Sequence, residues 1–313
     1  MMHARSLKIL WLLAFVSVSL CAYAIWRERD VRVQEDLGLL LPELSGRLAD
    51  VQSIEITHGL GMGGSQTIRL ERQNNMWRLP QRANFPANQE LVNETLLGLA
   101  EVHKRAPRTA LPEWHAQLGL TDPENLGAAI RFRLLDQHGA VIAEVLLGEA
   151  ERSEAEIVQK VTDIGRPQEN FYIRRATENQ TWLARGRLPR SKNMGAWIDP
   201  QLPLPPAQDV VGLRYHGAVN LSFERPTAEA GWPKPAQELL DRVMGLRPGD
   251  VAPATEIDFS NAQQITLTMA NGDDHVIRAV SMQTEYFIQI DDGAWAYKLT
   301  GEARSALYPI LSN

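Results

Sequence analysis

Residues Ile9–Ile25 form an unbroken uncharged run, ILWLLAFVSVSLCAYAI, with Arg5 and Lys8 before it and Arg27-Glu28-Arg29-Asp30 after it. At about 1.5 Å per residue, and with Leu7 and Trp26 added, such a run just crosses a bilayer core of roughly 30 Å as a helix. Trp11, Tyr23 and Trp26 lie near its ends, where amphipathic rings favour the membrane interface. The pattern then changes. Residues 27 to about 44 read as a polar neck ending near Pro42, and strand alternation follows.

Val51–Thr57 and Gln66–Arg72 alternate with period two, joined by a flexible His58–Gly64 connection suited to a hairpin. Met76–Leu79 reads as a third short strand. Asn88 caps a predicted helix to about His103, with Leu91, Val92, Thr95, Leu96, Leu99 and Val102 on one face. Ala129–Leu135 and Val141–Leu147 are strands turning at Asp136–Gly139, and Phe171–Arg175 with Thr181–Ala184 make another hairpin.

The same order recurs after residue 208. Asp50-Val51…Ile54…His58-Gly59 is echoed by Asp209-Val210…Leu213…His216-Gly217, and Ile68–Arg72 by Leu221–Arg225. Gln89–Asn93 is echoed by Gln237–Asp241, and Ile130–Leu134 by Ile265–Met269. Phe171–Ile173 with Trp182 is echoed by Tyr286–Ile288 with Trp295. Two copies suggest duplicated domains rather than a solenoid, which needs more repeats. The predicted fold is α+β: an N-terminal transmembrane helix followed by two related modules, each an antiparallel sheet with one main helix. Residues 1–44 are the cytoplasmic stub, anchor and neck, and 45–199 the first module. Residues 200–208 are a proline-rich extended linker, and 209–313 a second, shorter module. Glu149–Glu169 is a polar insertion without a counterpart in the second copy.

Composition narrows the function classes. The formal net charge is −6 and 44% of residues are hydrophobic, a globular balance that lacks the concentrated basic face nucleic acid requires. The densest basic group, Arg185, Arg187, Arg190 and Lys192, reads as a solvated loop. Cys21, the one cysteine, lies inside the apolar run, so no intramolecular disulfide can form. Ala22-Tyr23-Ala24 fits a signal-peptidase site, but the run exceeds the usual apolar core of about 7–15 residues, which favours a retained anchor. Basic residues flank both ends; a short basic N-terminus and a long following domain favour a cytoplasmic N-terminus with the domain outside, periplasmic in a Gram-negative envelope.

A search for chemistry returns no catalytic, cofactor-binding or metal residue, and so no cofactor. Gly59–Gly64 precedes a strand, whereas a phosphate loop needs a helix. The seven histidines (His3, His58, His103, His115, His138, His216, His275) make no close pair at metal-ligand spacing. His58 and His216 read as holders of the same turn through a backbone hydrogen bond. No Gly-x-Ser-x-Gly elbow is present. Asp273-Asp274 and Asp291-Asp292 abut glycine turns and read as solvated hairpin tips, and Trp77, Trp182, Trp197 and Trp295 as core packing.

The segments Trp77-Arg78-Leu79-Pro80, Leu118-Gly119-Leu120-Thr121-Asp122-Pro123, Leu147-Gly148, Phe171–Ile173 and Ala196-Trp197-Ile198-Asp199 follow one another in order. This arrangement resembles the bacterial membrane-anchored proteins of the domain-of-unknown-function 4340 family, over residues of about 45–313. In the second copy Trp232-Pro233-Lys234-Pro235 replaces Trp-Arg-Leu-Pro. The resemblance implies company with ABC-type exporters or gliding-motility-like complexes, and no established catalytic residues. The expected function is a non-enzymatic binding or scaffolding subunit of a membrane complex, held by Ile9–Ile25 and partnered by other subunits. The alternatives are a hydrolase-like envelope enzyme with its site between the modules, or a soluble exported binding protein if the leader is removed.

The apolar run generates one expectation directly. The mature protein keeps Ile9–Ile25 and stays in the membrane pellet through carbonate washing; a mature N-terminus at Ile25 would overturn this.

Overall fold

A computed structural model describes residues 37–151, 168–217, 220–225 and 231–301. The expected anchor at Ile9–Ile25 and most of the Glu149–Glu169 insertion lie outside these residues. Among the described residues no helix is long and apolar enough to cross a membrane.

The described residues form two antiparallel sheets with few helices, an α+β arrangement dominated by strands. In chain order the first sheet is built from β1 (Ser53–Gly59), β2 (Ser65–Gln73), β3 (Met76–Leu79), β4 (Phe85–Pro86), β5 (His103–Pro107), β6 (Ile130–Leu135), β7 (Val141–Ala150), β8 (Glu169–Arg175) and β9 (Thr181–Gly186). The second contains β10 (Val210–His216), β11 (Leu221–Glu224), β12 (Pro248–Pro253), β13 (Gln263–Met269), β14 (Asp274–Met282), β15 (Glu285–Ile290) and β16 (Trp295–Leu299). Helix α1 (Gln89–Ala100) and helix α2 (Lys234–Met244) are the long helical elements. The Asn88 side chain accepts the Leu91 N–H, which caps α1 as its sequence requires. The helix stops at Ala100, short of the expected His103, because His103 opens β5 at the sheet edge.

Strand order runs β4-β3-β2-β1-β6-β7-β8-β9-β5 in one sheet and β11-β10-β13-β14-β15-β16-β12 in the other. From β2 and from β11 onward the two orders match strand for strand. The register matches too. Across the first sheet one rung reads Gln66, His58, Ile130, Leu147, Ile173, Trp182, Pro107. Across the second it reads Leu221, Tyr215, Ile265, Ile277 and Ile290, and Trp295 stands opposite Pro253. The pairing of Gln289 with Ala296 sets Ile290 beside Trp295 on the next step.

These rungs sort the sequence echoes. Ile130 with Ile265 and Trp182 with Trp295 occupy equivalent places. Ile54 with Leu213, Ile68 with Leu221 and Phe171 with Tyr286 are two residues out of step. A slip of two keeps every side chain on its face, so apolar alternation cannot detect it. Two further differences concern the second half. Lys234 begins α2 behind Pro233, so Trp232-Pro233-Lys234-Pro235 leads into a helix where the first copy has β3. Residues 200–208 carry no strand and run into the 3-10 turn Ala207–Asp209, and Leu202 and Leu204 pack against the core where few core contacts were expected.

The two sheets share one hydrophobic core. Phe85 is its joint: this β4 residue, 4% exposed, meets Trp295 and Tyr297 edge-on at 5.2 and 5.9 Å. Beside it the 3-10 turn Met194–Trp197 packs on β12, and Ala87 bridges Ile198. Truncating Phe85→Ala removes a ring that both sheets hold, and is expected to cost about 3–5 kcal/mol. Leu97→Ala, on the solvated side of α1, should cost under about 0.5 kcal/mol. Urea midpoints of the two variants check this; equal losses would contradict the joint.

Candidate functional site

The junction of the sheets also forms a cleft of about 370 Å³. The turn Pro80–Arg82 overhangs it, with Pro80 at its first position and Ala83 in the left-handed region (φ 50°). The Gln81 amide extends the β2 edge: it accepts the Arg69 N–H (2.9 Å) and donates to Thr67 O (2.6 Å). This fixes Arg82, whose Nε and Nη2 donate to the two oxygens of Asp250 at 2.6 and 2.7 Å. Asp250 Oδ1 also accepts the Val251 N–H at 2.8 Å. The carboxylate raises the Arg82 pKa against the opposing effect of burial. Phe287 and the Lys298–Glu285 ion pair lie behind this fork, with Glu256 at the rim. Two cations and three carboxylates thus face one another across a polar cleft, and Asp250 and Glu285 are held by fixed cations. The geometry suits binding by exchange of ion pairs.

A second groove, of about 430 Å³, crosses β10, β11 and β13. There Asp274 accepts from Arg214 Nη2 (2.5 Å) and Thr268 Oγ1 (2.6 Å), while Gly212 lets the backbone approach Thr268. The outer face of the first sheet carries a third arrangement, a ladder of alternating charge. Arg69 pairs with Glu71 (2.9 Å) and Glu55 (4.0 Å), and Glu55 with Arg133 (3.5 Å). Glu144 lies 3.8 Å from Arg133 and 3.5 Å from Arg131, which also holds Asp122 and Glu124.

The sequence candidates fall as follows. Gly61–Gly63 is a 3-10 turn leading directly into β2, so no helix terminus meets the glycines. Trp77 and Trp197 are buried, and Trp197 Nε1 donates to Ser191 O (3.2 Å). Trp182 and Trp295 are half-buried against the core, with Lys104 5.0 Å from the Trp182 ring. The carboxylates at the hairpin tips are tied rather than merely solvated: Asp291 bonds His275 Nδ1 (2.6 Å) and the Val276 N–H (2.7 Å), and Asp292 pairs with Arg278. Arg190 leaves its expected solvated loop to donate to Gly148 O (2.6 Å) and lie 5.5 Å from the Phe171 ring, and burial lowers its pKa. Among the described residues no group of His, Cys, Asp and Glu could hold a metal ion. Arg82 and Asp250 escaped sequence reading because neither sits in a motif and 168 positions separate them.

His58 and His216 do not share a turn role. His58 is 2% exposed and its Nδ1 is buried without a hydrogen bond. Its place is taken in the second sheet by Tyr215, whose hydroxyl donates to Gln263 (3.0 Å). A bulge between Val210 and Gly212 shifts β10 by one residue and turns His216 to the exposed side.

A family model described as domain of unknown function (DUF4340) matches residues 77–270, more than half of the chain. No curated protein and no solved structure matches it.

Burial, and secondarily the charge of Lys192, lower the His58 pKa below its ordinary 6.5. The unfolded chain therefore takes this proton first as pH falls through 6.5, and folding stability declines toward the lower folded value; above 6.5 the group contributes no slope. Between pH 7.5 and 5.5 wild type should lose more urea resistance than His58→Leu, which has no proton to take. Equal losses would show that His58 does not titrate out of step with the unfolded chain.

Proposed function

The chain belongs to the DUF4340 family, and on that footing we propose that it is a non-enzymatic envelope protein, a binding or scaffolding subunit of a membrane complex such as an ABC exporter. Ile9–Ile25 anchors it as a single span, and residues 45–313 stand outside the cytoplasm as two modules related by duplication. The shared strand order and rung register support the duplication.

One observation carries the scaffolding role. In both grooves the central carboxylates, Asp250 and Asp274, are engaged by arginines and by further donors within 2.8 Å. A general base must be free to take up a proton, and a carboxylate bonded to a guanidinium would have to give up that ion pair to do so. Carboxylates held in this way offer fixed charge for recognition instead.

Two measurements test the reading. A periplasm-specific reporter fused to the C-terminus should be active; activity of a cytoplasmic reporter alone would reverse the orientation. Crosslinking the full chain in native membranes should recover the same integral membrane subunits in fixed proportion in independent purifications. Recovery of the chain alone under those conditions would defeat the scaffolding role.

A further inference from the structure

The described chain begins at Leu37 beside β5, the edge strand of the first sheet. Leu39 bridges His103 in the antiparallel sense; Lys104 N donates to Gly38 O (3.0 Å) and Leu40 N to Val102 O (2.8 Å). Reading backward from Leu39 therefore leads toward the Pro107 end of β5. From Pro107 the chain passes through Arg108 and Thr109 into Ala110-Leu111-Pro112-Glu113-Trp114, and these five residues are all exposed. Leu111 is 53% exposed and Trp114 47%. The loop is nonetheless held firmly. Arg108 N donates to Thr181 O (2.9 Å), Thr109 N to Thr181 Oγ1 (3.0 Å), and the buried His115 pairs its Nε2 with Asn179 O (2.9 Å). A pinned loop thus presents a leucine and a tryptophan outward at the end of the sheet where the N-terminal chain enters.

We propose that Ala110–Trp114 is a membrane-seating loop: Leu111 and Trp114 enter the interface of the bilayer that the chain's own N-terminal segment crosses. The inference rests on the anchored reading of Ile9–Ile25. Only residues 26–36 separate that run from Leu37. They span roughly 16 Å as a helix and under about 40 Å fully extended, so the loop is tethered within reach of the headgroups. A tryptophan beside an aliphatic residue is the chemistry that interface favours. The local charge says which force drives entry. Arg108 is paired with Glu151 at 3.3 Å, and Glu113 adds an exposed carboxylate. Ala110–Trp114 itself carries no cation to attract anionic headgroups, so apolar insertion drives the contact and zwitterionic lipid suffices.

The test uses the full chain with Cys21→Ser and a single fluorophore attached at Ala110→Cys, or at Gln137→Cys as the reference. Gln137 is exposed on the β6–β7 turn, at the opposite end of the sheet from Pro107. The protein is reconstituted in phosphatidylcholine vesicles with and without anionic lipid, and a lipid-borne quencher reads the depth of the label. Quenching at position 110 should exceed that at 137 several-fold in both lipids, and fall to the level of 137 when Leu111→Ser and Trp114→Ser are added. Circular dichroism confirms that the variants stay folded. If the protein floats with the vesicles but position 110 is quenched no more than 137, the seating loop is wrong and the anchor stands. If quenching requires anionic lipid, the apolar driving force is wrong. If the chain does not float but the label is quenched on mixing with vesicles, the loop holds and the anchored reading fails.

Discussion

The approach of Gly195 to Gly249 sets the distance on which the rest of the structure depends. A Cβ at Gly195 would lie 1.8 Å from the Gly249 carbonyl oxygen, so the turn before the linker meets the edge strand of the second sheet backbone to backbone. That closeness lets Phe85 reach Trp295 and Tyr297, and lets Arg82 close its fork on Asp250. One core then serves both sheets, and the cleft has walls from each. Interiors packed to crystal-like density transmit such a constraint instead of absorbing it. A side chain at Gly195 would displace the cleft together with the joint.

Much of this body is legible in the chain. Alternation marked β1, β2, β6 and β7, and Asn88 marked the start of α1, because each element satisfies its own local rule. The edge strands β5 and β12 were invisible. β5 reads His-Lys-Arg-Ala-Pro and β12 Pro-Gly-Asp-Val-Ala-Pro; neither alternates, and both owe their conformation to the partner strand beside them. The echo of His58 in His216 failed for a sharper reason. One bulged residue reverses inside and outside, and Tyr215 rather than the second histidine inherits the buried place. The cleft was unreadable because its two central residues meet only after both sheets have formed.

Polar residues play opposite parts on the two sides of the first sheet. On the outer side, Glu71, Arg69, Glu55, Arg133, Glu144 and Arg131 alternate in sign across four strands. Each partly exposed pair contributes little alone, but neighbours that share partners hold one another in place. The core side has no such compensation at His58, where a buried ring nitrogen is left without a partner. The imidazole persists there as a neutral group, at a cost that the apolar phenol ring of Tyr215, with its bonded hydroxyl, avoids in the equivalent place.

The way Leu39 joins β5 has a mechanical meaning. Gly38 O, Leu40 N and Leu40 O are all bonded, the last by Arg175 Nε and Nη2 at 3.2 and 2.8 Å, and Leu41 and Leu44 are buried behind them. A pull along the N-terminal segment runs parallel to β5. It loads these bonds together in shear, where a pull across the strand would open them one after another. The seam is therefore a strain-bearing coupling, able to pass tension applied at Leu37 into the whole width of the first sheet.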